Sequence, residues 1–150
     1  MLPTLLSSFY SRDLRKLIEE INLFTTEENL WVIPNGVKNS AGNLVLHITG
    51  GMNYLIGTQL AHTGYVRNRD AEFTTKGVPR AELVAGLEAL IALINNTLAT
   101  FTPQQMEDNF PIPFDGAVRS NTYILVQLLA HVNYHLGQVN YLRRMIEATI

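Results

Sequence analysis

Apolar residues recur along four stretches of this chain at three- and four-residue steps, the period of a helix that buries one face. In the first stretch the stripe is Leu6, Tyr10, Leu14, Leu17, Ile21 and Phe24, while Arg12, Lys16, Glu19 and Glu20 fall on other faces. The pattern predicts an amphipathic helix of about 18 residues. Thr25 and Glu28 are spaced as a capping box, so a helical turn is expected through Leu30 and Trp31 until Pro34, Asn35 and Gly36 stop it. Ser40 is a good N-cap for a second helix that carries Leu44, Val45, His47, Ile48, Tyr54 and Leu55 toward Ala61. Gly50 and Gly51 interrupt that helix, at about 1 kcal/mol each relative to alanine. A helix keeps such a pair where a neighbour must come close, or where it kinks. Either reading places something unusual beside His47.

Residues 64–77 are polar, with Arg67, Asn68, Arg69, Asp70, Glu72 and Lys76, and read as an exposed linker. Pro79 suits the first position of a third helix, Glu82 suits its first turn, and Leu83, Leu87, Leu90, Ile94, Leu98 and Phe101 make its stripe. Residues 102–119 read as a loop. Within it Phe110, Ile112 and Phe114 alternate with Pro111 and Pro113, and Asp115-Gly116 signals a turn, so a short edge hairpin is expected. A fourth helix starts near residues 120–122 and runs to about Ile146, with Arg143 and Arg144 suited to its C-terminal dipole. The expected fold is all-α: one domain over residues 1–150, an up-down four-helix bundle with a short hairpin or loop between helices 3 and 4.

Composition narrows the function classes. Lys and Arg number 11 against 13 Asp and Glu, a net charge of −2, so no basic surface for nucleic acid is expected. The absence of cysteine removes disulfides, thiolate zinc sites and a cysteine nucleophile, and leaves a metal on nitrogen and oxygen donors open. The longest apolar run, around residues 124–132, is broken by Gln127 and His131, so no membrane span is expected. The first ten residues lack the basic segment and apolar stretch of a signal peptide, and a cytoplasmic protein is the expectation.

The four histidines carry the chemistry. His131 and His135 are one turn apart, about 6 Å along the axis, on a stripe that continues through Ile124, Leu128, Gln138 and Leu142. Each imidazole in a core needs a partner for its nitrogens. A divalent metal satisfies two rings at once, and His-x-x-x-His on a helix is a bidentate clamp. Hydrogen bonds within the core are the alternative. The glutamate of the HExxH protease motif is absent, which argues against a zinc protease of that type. His47, on the second helix, is the candidate third ligand. His62 lies 15 residues further on, about 22 Å of helix rise away, and is expected at the surface.

Asn39 through His47 resembles the NSxxxLxxHxxG segment of the DinB/YfiT-like superfamily, and His131-Val-Asn-Tyr-His135-Leu-Gly-Gln138 resembles its C-terminal HxxxHxGQ segment. The resemblance spans about residues 8–145. It implies a four-helix bundle with a divalent metal on His47, His131 and His135, zinc or nickel foremost and iron or manganese as alternatives. Ala130 stands where the usual asparagine precedes the first histidine, Tyr134 where many members carry a further histidine, and Leu136 where many carry arginine. Activities in the superfamily include thiol S-transfer with low-molecular-weight thiols and a thiol-dependent isomerisation.

Three neutral imidazoles leave a divalent ion an open position, the catalytic arrangement. A thiol-dependent S-transferase acting on a small-molecule substrate is the leading expectation. A metal-dependent hydrolase and a non-catalytic, metal-stabilised helical module are the alternatives. Asn43, Tyr54 and Gln138 are expected at the pocket or behind the ligands. No carboxylate is placed there: Glu27, Glu28 and Asp115 lie on connections that could approach. The hairpin could cover the site or close one end of the bundle. Leu125, Leu129, Val132, Leu136 and Val139 spread apolar character round the fourth helix, which suggests a homodimer.

Overall fold

The four stripes become four long helical segments in the computed structural model, which describes residues 1–148. α1 (Leu2–Asn22) buries Leu6, Tyr10, Leu14, Leu17 and Ile21. A 3-10 turn (Glu28–Trp31) leads to α2 (Ala41–Met52), whose axis continues through a π-helical turn (Asn53–Thr58) and α3 (Gln59–Ala61). α4 (Arg69–Thr74) is short; α5 (Arg80–Ala99) is long; α6 (Pro103–Glu107) is again short; α7 (Asn121–Glu147) closes the chain. α1 packs along α5 and α7, and α2 packs against the same two helices. The core between them holds most of the predicted residues of the four stripes, with Leu55 and Phe101 packed against it and Tyr54 and Gln138 outside it, and Tyr10 brings its hydroxyl in with a partner, donating to the Leu125 carbonyl at 2.6 Å.

Length and composition alone would let α5 cross a membrane. Its Leu83, Leu87, Leu90, Ile94 and Leu98 are buried in the core between the helices.

Helix starts follow the side-chain caps. Ser40 accepts from the Asn43 amide and Ser120 from the Tyr123 amide, as expected of these residues. Thr25 does not cap. Its hydroxyl donates to Glu147 at 2.7 Å, and Thr26 accepts from the Asn29 amide instead.

Three expectations need correcting. Residues 64–77 are not merely an exposed linker: Asn68 caps α4, which packs on α2 and buries Glu72. Residues 102–119 contain α6, capped by a Thr102 and Gln105 capping box, and the expected hairpin reduces to two isolated bridges, Asn109 with Ser120 and Phe114 with Ala117. Pro111 and Pro113 lack the N–H groups a ladder requires, so only the Asp115-Gly116 turn forms, both residues at positive φ. Glu20 is not on a solvated face. It is 3% exposed and accepts from Asn140 and Arg143 of α7 at 2.8 and 2.7 Å.

Candidate metal centre

His47 sits mid-way along α2, and His131 and His135 sit one turn apart on α7, the helix α2 packs against. One ring nitrogen from each of the three lies within 4.8 Å of the others. The rings stand nearly perpendicular to one another, with interplanar angles of 77°, 88° and 87°. His62 is exposed and left-handed (φ 55°) at the end of α3, away from this cluster, as its distance along the helix required.

The outer nitrogens of two rings are committed. His47 Nδ1 lies 3.0 Å from Glu72 Oε1, and His135 Nδ1 lies 2.6 Å from Gln138 Oε1. A carboxylate and an amide oxygen only accept, so both Nδ1 atoms carry the proton and both Nε2 atoms present a lone pair. His47 Nε2 faces His131 Nε2 at 3.0 Å. His135 Nε2 is buried with no hydrogen-bond partner. The lone pairs of His47 and His135 turn inward beside a third imidazole, an arrangement that a cation satisfies for all three rings at once, and the Nδ1 partners are those that orient imidazole ligands. The three histidines fit a metal site.

Burial, chiefly, lowers the His131 pKa to about 4, with the neighbouring His135, His47 and Arg67 adding to it. Burial also lowers that of His135, against the opposing bond from Gln138. Both rings are therefore neutral at pH 7, the form that binds metal.

Glu72 is the residue that sequence reasoning missed. It is 5% exposed, and Arg67 clamps it with Nε on Oε2 and Nη2 on Oε1, each at 2.8 Å. Burial pushes its carboxyl up; the Arg67 and His47 bonds outweigh that and hold it below the usual range. Gly50 explains how the carboxylate comes so close. A Cβ at Gly50 would collide with Glu72, and one at Gly51 would press on Arg67 at 3.3 Å. The glycine pair was the available signal. Phe73, the next residue of α4, packs against the His47 ring at 4.9 Å.

Asn43 is buried one turn before His47 and holds α4 in place. Its amide nitrogen donates to the Glu72 and Thr75 carbonyls at 3.0 and 2.8 Å, and its oxygen accepts from Lys76. A cavity of about 340 Å³ opens beside His47 and His131. On the α2 side it is lined by His47, Ile48, Gly51, Met52 and Leu55, and not by Tyr54. Leu55 lies seven residues after Ile48 and so continues the face of Ile48 and Met52, while Tyr54 falls beside it. Phe114 and Asp115 of the tight turn also line the cavity; Glu27 and Glu28 do not.

The chain matches, over residues 6–149, the model of a family described as protein of unknown function, DUF1572. No curated protein matches it. Its structure is similar to that of a conserved protein from Enterococcus faecalis, with a TM-score of 0.78 at 16% identity over 97% of this chain and 96% of that one. It is also similar to a DinB-like protein from Bacillus cereus, with a TM-score of 0.70 at 16% identity over 93% and 89% of the two chains. At such identity the likeness concerns the fold, and it agrees with the resemblance seen in the two histidine segments. The chain belongs to the DUF1572 family and has a DinB-like helical fold.

Proposed function

We propose that this protein is a divalent-metal-dependent enzyme whose ion is held by His47, His131 and His135. The observation that carries the reading is the set of inward nitrogens: two Nε2 atoms 3.0 Å apart and a third, on His135, buried without a partner. When bound, a zinc or nickel ion with three imidazole ligands supplies Lewis acidity at a position left open to the cavity. Iron and manganese are the alternatives.

The chain's own residues prepare the site. Glu72 keeps the proton on His47 Nδ1, and Arg67 keeps Glu72 ionised. Gln138 does for His135 what Glu72 does for His47. Ile48, Met52 and Leu128 give the cavity an apolar wall that limits water. The family resemblance favours transfer of a group to a low-molecular-weight thiol within an up-down bundle; the apolar spread round the last helix favours a homodimer, and the lack of a signal-peptide pattern a cytoplasmic one. A hydrolase is the second reading, favoured by Asp115, a carboxylate in the cavity wall with no hydrogen-bond or ion-pair partner among the described residues.

Elemental analysis of protein purified without a histidine tag tests the centre: about one equivalent of divalent metal is expected, lost in His131→Ala. Thiol-dependent turnover that disappears with the metal supports the transferase. Turnover without thiol, lost in Asp115→Asn, supports the hydrolase.

A further inference from the structure

The cavity beside the histidines has two cationic side chains in its wall, Arg67 and Arg69, and they are engaged differently. Arg67 is committed to Glu72 through two parallel hydrogen bonds, which leaves that pair neutral. Arg69 meets no carboxylate among the described residues. Its guanidinium instead lies over the Phe73 ring, 5.2 Å from the centroid, and Phe73 packs on His47 at 4.9 Å. This stack ties an unpaired cation to the histidine centre. Stacking occupies only the face of a guanidinium, so its in-plane donors stay available to an acceptor. Much of the remaining wall is apolar, with Met52, Leu55, Phe114 and Leu128.

From this arrangement we infer that the cavity binds a small organic acid. The carboxylate meets the donors of Arg69, the hydrocarbon body lies on the apolar wall, and the far end points to His47 and His131. About 340 Å³ is at the small end of ligand sites, so the acid has one short chain or one ring. Asp115 in the same wall is the feature that would favour an amine. A divalent ion on three neutral imidazoles, added to Arg69, leaves the wall positive despite Asp115, which favours an acid. The assignment deepens the metal-centre reading by naming the ligand class of the same cavity, and Arg69 is separable from the metal ligands.

The test is calorimetric titration of zinc-supplemented, tag-free protein with 3-phenylpropionate, 3-phenylpropionamide and 3-phenylpropylamine at millimolar concentration, with zinc content measured on the same samples. The acid is expected to bind about tenfold tighter than the amide, and Arg69→Gln to remove that advantage while leaving amide binding and zinc content unchanged. Equal binding of acid and amide, preference for the amine, no binding of the acid, or an acid preference that survives Arg69→Gln overturns the inference. Failure of the metal reading looks different: protein without zinc that still prefers the acid through Arg69 keeps the inference and removes the metal centre.

Discussion

Glu20 and Glu72 are both buried beside an arginine, at 3% and 5% exposure, and both are held below the ordinary carboxylate range although burial pushes the other way. Around Glu20 the network is closed. Asn140 takes one oxygen, Arg143 takes the other, and the group joins α1 to α7. Around Glu72 the network is open at one end. Arg67 takes both oxygens, the remaining acceptor capacity goes to His47 Nδ1, and the far side of that imidazole faces another ring nitrogen. A buried carboxylate whose partners are all internal ties helices together. One whose last partner is a histidine with an unsatisfied far side orients that histidine for something else.

Substitutions that separate the two networks should act on different observables. Glu20→Ala leaves Arg143 half-enclosed without its carboxylate and is expected to cost about 3 kcal/mol of stability, read as a shift in the urea midpoint. Metal content per folded molecule should stay as in the wild type. Glu72→Gln also takes the carboxylate from Arg67, so it too is expected to cost stability, but it alone should act on the metal: affinity for zinc falls about 10- to 100-fold in competition titrations with a chromogenic chelator. Equal loss of zinc affinity in both variants would erase the distinction.

Acidification should show Glu20 through stability alone. Its folded pKa lies below the unfolded value, so its contribution is fully present above about pH 4.3 and is lost as pH falls through the folded value. Glu20→Gln should therefore be less stable than wild type at neutral pH and lose less on going from about pH 6 to about pH 3, measured as urea midpoints of metal-free protein. A parallel pair of pH profiles would mean that Glu20 ionisation contributes nothing.

The smallest effects come from two helical glycines. Gly137→Ala on α7 meets nothing within 4 Å and should stabilise the protein by about 0.5–1 kcal/mol, because alanine is the better helix former. Gly50→Ala gains the same propensity but drives a methyl into Glu72, so it should lower zinc affinity without a matching gain in melting temperature. A stabilised Gly50→Ala protein with full zinc affinity would show that the close approach of Glu72 is unnecessary.

The regular parts of the fold were legible because their signal is periodic. Leu6 through Phe24 and Leu83 through Leu98 repeat at helical spacing long enough to stand out, and all of the residues named in those two stripes become core. The pairing of His131 with His135 follows from one turn of helix, and the glycine pair marked the close approach beside His47 before its cause was visible. Glu72 was hidden for the opposite reason. α4 has six residues, too few for a period, and its polar side chains look solvated unless their partners are known. Arg67 is a local partner, but burial of Glu72 also depends on α4 docking on α2 beside His47, which is tertiary information. The same holds for Glu20, whose partners lie on α7. Tyr54 does not line the cavity, because the face that does runs through Ile48, Met52 and Leu55 rather than straight along from His47.

The central claim is that the inward nitrogens of His47, His131 and His135 hold one divalent ion. Inductively coupled plasma analysis of tag-free protein, with His131→Ala and His62→Ala prepared alongside, addresses it most directly. The account predicts about one equivalent of metal in the wild type and in His62→Ala, and essentially none in His131→Ala. A wild type that takes up no metal even after incubation with zinc and nickel, or a His131→Ala protein that retains a full equivalent, would contradict it.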